Sequence, residues 1–366
     1  MNLTWVEVSK SALLNNIAVI KKRLPPRTKF ISVVKSNAYG HGLLQVVDAI
    51  KSKVDYFAVY DFNDAILLRK NKITKPLLLL GRLLPSQIDL AVKNEIEFSV
   101  SNFDLLENVK KKISIHLAID TGLGRDGFVA KDMPQVLKLL QNKNISVKGL
   151  YTHFAAPDDS KFNAYTKKQI AELLKWKSAL AKINIKPLVH ASSSAGTFIE
   201  EFDCCLDAVR VGGGVWGLWS SEEVKSLHKH QTELKPVLSW KCSIVELKSL
   251  PKGSKISYGG TFTLKRDSKI AILPIGYFDG IPRNTSNKGY VLINGIKVRQ
   301  IGRVTMNMII VDVTDVKKIK VGDEAMIIGQ QAKETISAED WGQWAESFNY
   351  EITTRINPNI PRKLSR

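Results

Sequence analysis

Eight short apolar runs, each followed by a longer stretch, fill the first 215 residues: FISVV (30–34), YFAVY (56–60), LLLL (77–80), EFSVS (97–101), IHLAI (115–119), VKGLY (147–151), LVHAS (188–192) and DAVRV (207–211). Among the stretches between them, LLQVVDAIKSK (43–53), NDAILLRKN (63–71), DMPQVLKLLQNK (132–143) and residues 162–183 repeat their apolar residues three and four apart, the helix period. Strands alternating with helices imply a parallel sheet, and eight repeats imply a closed (β/α)₈ barrel. The alternative is an open doubly wound sheet. It would usually carry a G-x-G-x-x-G or G-x-x-x-x-G-K loop after its first strand, and SNAYGHG is neither.

The texture changes after about residue 231, where alternating strands replace the helices: 237–247, 269–277, 289–313 and 324–329. Asn294-Gly295 between two apolar runs predicts a hairpin turn, and Ser337 predicts a helix N-cap ahead of AEDWGQWAESF. The expected division is a barrel over 9–230 and a mainly-β domain over 231–366, with TWVEV in segment 1–8 joining the latter.

Where reactive residues fall follows from the barrel, because such barrels work at the C-terminal ends of their strands. Those ends carry Lys35, then DTGLGR (120–125), His153, Ser192 to Ser194, and Arg210 with Gly212, Gly213 and Gly214. Loops after strands seven and eight usually hold phosphate, and glycines let the backbone approach it. A lysine in a partly desolvated mouth has a lowered pKa and is nucleophilic. An amine beside a phosphate site suits pyridoxal phosphate (PLP) held as a Schiff base. A sugar-phosphate aldolase using a Schiff-base lysine and a structural lysine remain the rival readings.

Composition narrows the classes. The net charge is +19, but the lysines are spread over helical faces with no dense basic tract, so a solvated surface is expected rather than a nucleic-acid site. Cys204, Cys205 and Cys242 are odd in number and form no C-x-x-C, against a disulfide framework or zinc site. No apolar run is long enough to span a bilayer and no signal-peptide core is present, so a cytoplasmic protein without a membrane anchor or metal is expected.

VVKSNAYGHG (33–42) resembles the PLP-lysine signature of the alanine racemase family. The likeness extends through TWVEV, DTGLGR, GLYTHFA (149–155), DAVRVGG (207–213), ISYGGTF (256–262), LPIGYFDG (273–280) and GRVTMNM (302–308). The resemblance implies an N-terminal (β/α)₈ barrel, a C-terminal β domain and a head-to-tail homodimer with shared active sites. It implies interconversion of L- and D-alanine, supplying D-alanine for peptidoglycan. Lys35 and Tyr258 would be the two catalytic bases, Tyr258 coming from the partner subunit. Lys35, Tyr39, His153, Ser194, Arg210, Gly212 and Gly213 would bind PLP, with Arg210 at the pyridine nitrogen. Arg125, Met306 and Tyr277 would contact the small amino-acid substrate. A cation near Tyr258, Arg125 or a protonated His153, would acidify its phenol.

Several positions depart from the family pattern. Ala118 stands where many members have a carbamylated lysine that positions the arginine. Ser193, Thr305, Asn307, Pro358 and Trp216 replace a frequent asparagine, cysteine, aspartate, phosphate-binding tyrosine and tyrosine, respectively. Other readings of the architecture are a broad-specificity or serine racemase and a PLP-dependent decarboxylase. Arg210 speaks against the decarboxylase, because that chemistry benefits from a protonated ring. A PLP-binding homeostasis protein would lack the second domain.

Overall fold

The computed structural model describes residues 2–198, 205–230 and 232–365, so Cys204 lies outside the described residues. The chain forms two compact units, one of residues 13–36 and 47–235, the other of residues 1–12, 37–46 and 236–366.

The first strand, β1 (Thr4–Ser9), belongs to the second of these units. The next eight are β2 (Lys29–Val33), β3 (Tyr56–Val59), β4 (Leu77–Leu79), β5 (Ile96–Val100), β6 (Ile113–Ala118), β7 (Ile145–Tyr151), β8 (Leu188–His190) and β9 (Ala208–Val211). They form a closed parallel barrel, sealed where Ile31 of β2 lies beside Arg210 of β9. Phe30, Phe57, Leu77, Phe98, Ile115 and Val209 are wholly buried. Strands covered on both faces need such continuous apolar runs. The helix Asn163–Lys182 shows the complementary rule, burying Thr166, Gln169, Leu173, Trp176 and Leu180 at alternating spacings of three and four.

The eight-strand rhythm is thus borne out, but the elements are shorter than expected. The helix expected over 43–53 ends at Ile50, where Lys53 N–H bonds the Ile50 carbonyl in a turn. Pairing in the seventh run stops at His190, so Ala191 to Ser194 leave the sheet as loop. The stretch 289–313 contains the hairpin turn expected at Asn294-Gly295. It is the hairpin Tyr290–Ile293 and Ile296–Arg299, a loop, and the strand Ile309–Asp312.

In the other unit β1 lies between β10 (Leu238–Ser243), antiparallel, and Arg362–Ser365, parallel. The sheet continues from β10 through Glu324–Gln331 to the Tyr290–Arg299 hairpin. Asn294 and Gly295 turn that hairpin with φ of 51° and 76°, as a type I′ turn requires. Glu246–Leu250, Ser268–Leu273 and Ile309–Asp312 form a separate three-stranded sheet. Ser337 caps the helix Ala338–Trp344, accepting from Asp340 N–H at 3.0 Å while the Asp340 carboxylate accepts from Ser337 N–H at 2.7 Å. Among the described residues no helix is long and apolar enough to cross a membrane.

Candidate active site

Lys35 directly follows the end of β2 and is half-buried. Burial lowers its pKa, and the positive charges of Arg125 and Arg210 lower it further, with Asp126 opposing them in part. An amine so placed gives up its proton more readily than a surface lysine. The chain then makes an unusual turn. Ser36, Asn37, Ala38 and Tyr39 have φ of 55°, 54°, 52° and 54°, one turn of left-handed helix without a glycine. Each such residue costs roughly 1–2 kcal/mol. Hydrogen bonds offset part of this: Leu43 N–H to Asn37 Oδ1 at 2.8 Å, Gly42 N–H to the Asn37 carbonyl at 2.9 Å, and His41 N–H to the Ala38 carbonyl at 3.0 Å.

Residues 37–46 belong with the C-terminal β structure. Arg362 donates to the carbonyls of Gly40 (3.1 Å), Ile356 (3.0 Å), Asn357 (2.6 Å) and Ile360 (2.5 Å), tying the turn to the segment containing Pro358. Gly40 lies so close to Thr353 that an added Cβ would sit 1.9 Å from its carbonyl oxygen. The Tyr39 ring meets Tyr350 edge-on, centroids 5.6 Å apart. Ser36→Val puts a β-branched side chain at positive φ and is expected to cost about 1–2 kcal/mol, whereas Ser36→Gly should not destabilise the fold. Denaturant unfolding of both variants checks this, and equal midpoints would contradict a left-handed turn.

The barrel floor is built around Arg210, buried on β9. It donates to the carbonyls of Thr152 (2.7 Å), Ala191 (3.0 Å) and His190 (3.1 Å), to His190 Nδ1 (2.8 Å) and to His153 Nδ1 (3.1 Å). Its guanidinium also lies over the Tyr151 ring at 5.1 Å. Burial pulls its pKa down to about 10, so it stays cationic at neutral pH. His153 is pushed down to about 3 by burial and by the charges of Arg210, Arg125 and Lys35. A protonated His153 is therefore not the acidifying cation: its Nδ1 accepts a hydrogen bond from the Arg210 guanidinium and its ring is neutral.

The DTGLGR loop folds back on β6. The Asp120 carboxylate accepts from Gly122 N–H (2.9 Å) and Gly124 N–H (3.1 Å), and buried Gln169 ties Thr121 to the His153 carbonyl, donating to each at 3.3 Å. The loop ends at Arg125, whose Nε donates to Asp126 at 3.0 Å. Ala118 is buried, with only a methyl to offer, and its carbonyl accepts from Phe128 N–H at 2.9 Å. The contact Arg125 does make is with its own neighbour, Asp126. Beyond β8, Ser194 Oγ accepts from Gly212 N–H (3.1 Å) and Gly214 N–H (3.2 Å), which leaves its own proton to donate.

Tyr258, Tyr277 and Met306 sit on three loops of the other unit. Ser257 Oγ donates to the Arg303 carbonyl at 2.8 Å, and Tyr277 N–H to the Thr305 carbonyl at 3.0 Å. The closeness depends on Gly276, where a Cβ would lie 2.3 Å from the Thr305 oxygen. The loop 302–308 thus joins the other two, leaving Tyr258 72% and Met306 54% exposed beside Tyr277 and Phe278.

The sequence reading missed Arg362, His190, His116 and Glu97. Its one available signal for the last three was a polar residue inside an otherwise apolar barrel strand: Glu97 in EFSVS, His116 in IHLAI and His190 in LVHAS.

A closed parallel barrel with a half-buried lysine at the end of its first strand and a buried guanidinium on its last defines a barrel enzyme that works at the strand ends. The comparisons name its kind. Residues 8–220 match the family model "Alanine racemase, N-terminal domain", and residues 237–364 match "Alanine racemase, C-terminal domain". Alanine racemases of Methylacidiphilum infernorum and Halothermothrix orenii are 37% and 38% identical to it, covering 98% of this chain and 92% and 96% of their own. The Bacillus anthracis alanine racemase solved with bound L-Ala-P superposes with a TM-score of 0.93 at 32% identity, covering 100% of this chain and 96% of its own. The chain belongs to the alanine racemase family, whose members are PLP-dependent isomerases and generally dimers.

Proposed function

We propose that this protein racemises alanine with PLP, using Lys35 and Tyr258 as bases on opposite faces of the substrate. The carrying observation is a half-buried Lys35 directly after the first barrel strand, with the buried Arg210 on the strand paired to it. The donor set fits the cofactor: an amine for an aldehyde, a guanidinium for a ring nitrogen, and a serine hydroxyl among glycine amides for a phosphate. When bound, PLP supplies an electron-withdrawing ring that makes the substrate's α-proton removable.

The chain's own residues do the rest. Arg210 donates a hydrogen bond without giving up a proton, so it leaves a facing pyridine nitrogen unprotonated. Ser194, Gly212, Gly213 and the Tyr39 hydroxyl hold the phosphate, and neutral His153 fixes Arg210. Arg125 and the Met306 N–H take the substrate carboxylate, with Tyr277 at the entry. Lys35 moves a proton on one face and Tyr258 on the other, which is what inversion at carbon requires. We assign Tyr258, Tyr277 and Met306 to the partner subunit of a homodimer with shared sites. The exposed face they form supports that assignment. Barrel 9–230 then serves as the cofactor domain, 231–366 with 1–8 as the second domain, and the enzyme works in the cytoplasm on a small amino acid.

Chiral chromatography of the PLP-loaded protein with L-alanine and with L-serine tests the reading. D-alanine should accumulate faster than D-serine. Absence of both D-amino acids, or release of carbon dioxide, rejects it. Since Ala118 has no amine to carbamylate, added bicarbonate at fixed pH should leave the rate unchanged. Clear activation would contradict this expectation.

A further inference from the structure

Arg210 is a buried cation, yet among the described residues no carboxylate forms an ion pair with it. The chain of hydrogen bonds leaving it does end on a carboxylate. His190 Nδ1 faces Arg210 Nη1 at 2.8 Å, His190 Nε2 faces His116 Nδ1 at 2.9 Å, and His116 Nε2 faces Glu97 Oε2 at 2.8 Å. Both imidazoles are wholly buried.

The protons on this chain follow from donor and acceptor types. A guanidinium only donates, so His190 Nδ1 accepts and the ring's proton sits on Nε2. That proton points at His116 Nδ1, which must accept, placing the His116 proton on Nε2 against the Glu97 carboxylate. A doubly protonated His116 would set two N–H groups against each other. One ordering, with both rings neutral, satisfies all three bonds.

The barrel is shaped to pass this chain. Glu97, His116, His190 and Arg210 lie on β5, β6, β8 and β9. The intervening β7 contributes Gly149, where an added Cβ would come within 2.0 Å of His116 Nδ1. Only a residue without a side chain lets the His116 ring cross β7 to reach His190. Tyr151 stacks on His190 with centroids 5.1 Å apart and rings 6° from parallel, and its hydroxyl bonds Ser99 Oγ at 2.6 Å. The stack leaves the His190 ring little freedom to flip.

We propose that Glu97 is a positioning residue for Arg210, acting through His116 and His190. Arg210 sets the proton order from one end, and at the other Glu97 accepts the His116 Nε2–H, which would otherwise be buried without a partner, and places a negative charge at the far end of the cation's hydrogen-bond chain. The proposal rests on the reading that Arg210 faces the cofactor's ring nitrogen. A neutral glutamine in place of Glu97 can still accept from His116 through its amide oxygen, preserving the proton order but not the charge. A leucine offers neither acceptor nor charge and leaves the His116 Nε2–H buried and unpaired.

The test uses the PLP-loaded protein with ¹⁵N-labelled histidine, as wild type, Glu97→Gln and Glu97→Leu, alongside kinetics and cofactor absorption. In the wild type His116 and His190 should both show the Nε2–H tautomer. Glu97→Leu should strip the His116 Nε2–H of its acceptor and move that signal, shift the cofactor band and lower kcat about 10- to 100-fold, the range for loss of an outer-shell partner, with KM within about twofold. Glu97→Gln should keep the tautomers and recover most of kcat. A proton on His190 Nδ1 in the wild type overturns the proposal whatever the kinetics. So does a Glu97→Leu protein with an unchanged His116 Nε2–H signal, cofactor band and kcat. Should Glu97→Leu not fold, the wild-type tautomers and the Glu97→Gln protein decide: Nδ1–H signals in either overturn the proposal, and Nε2–H signals with kcat near wild type in Glu97→Gln support it. The tautomer signals need no turnover, so they separate failure of this proposal from failure of the racemase reading.

Discussion

Lys35→Ala should abolish the visible absorption of bound PLP and lower racemisation by at least about 10³-fold, since one substitution removes both the covalent attachment and a general base. Among the described residues no second lysine is among the charges acting on Lys35. Lys35 follows the barrel strand directly, and the cations around it, Arg125 and Arg210, are guanidinium groups that do not act as nucleophiles. Circular dichroism confirms folding of the variant, and spectrophotometry with a chiral assay reads the effect. An unchanged absorption band in the folded variant would reject the assignment of Lys35.

Tyr258→Phe should lower racemisation by about 10²–10⁴-fold, the usual worth of a positioned proton donor and acceptor. The ring is 72% exposed, so stability should move by less than about 0.5 kcal/mol. The loss should also be one-sided. With Lys35 intact, the variant should still exchange the α-proton of one alanine enantiomer with solvent, without inverting it. Proton NMR of each enantiomer in deuterated water checks this. Equal loss of exchange from both would contradict an opposite-face role for Tyr258.

Much of this arrangement is legible in the sequence because barrels repeat. Eight buried strands force eight apolar runs, and the strand-end rule then picks Lys35, the DTGLGR loop and Arg210 from a chain with 54 Lys and Arg residues. The family signature adds Tyr258, which no periodicity argument reaches. Other parts leave little local trace. Ser36, Ala38 and Tyr39 are ordinary residues for right-handed or extended backbone, and only long-range hydrogen bonds and packing hold them left-handed. Arg362 looks like any terminal basic residue until its four carbonyl partners are seen. Glu97, His116 and His190 are single polar residues 19 and 74 positions apart, joined by strand order rather than by spacing. Gly149 reads as a weak point in a strand, although its missing side chain is the space the His116 ring uses. The +19 charge, large as it is, predicts none of these, because they are set by buried geometry.

The two-base racemase reading is tested most directly by incubating the PLP-loaded protein with L-alanine in deuterated water and following chirality and α-deuterium together. The account predicts D-alanine that carries solvent deuterium at the α-carbon from the first turnovers, with no carbon dioxide released. D-alanine that retains the substrate's own α-proton, or deuterium entering L-alanine with no D-alanine formed, would contradict it.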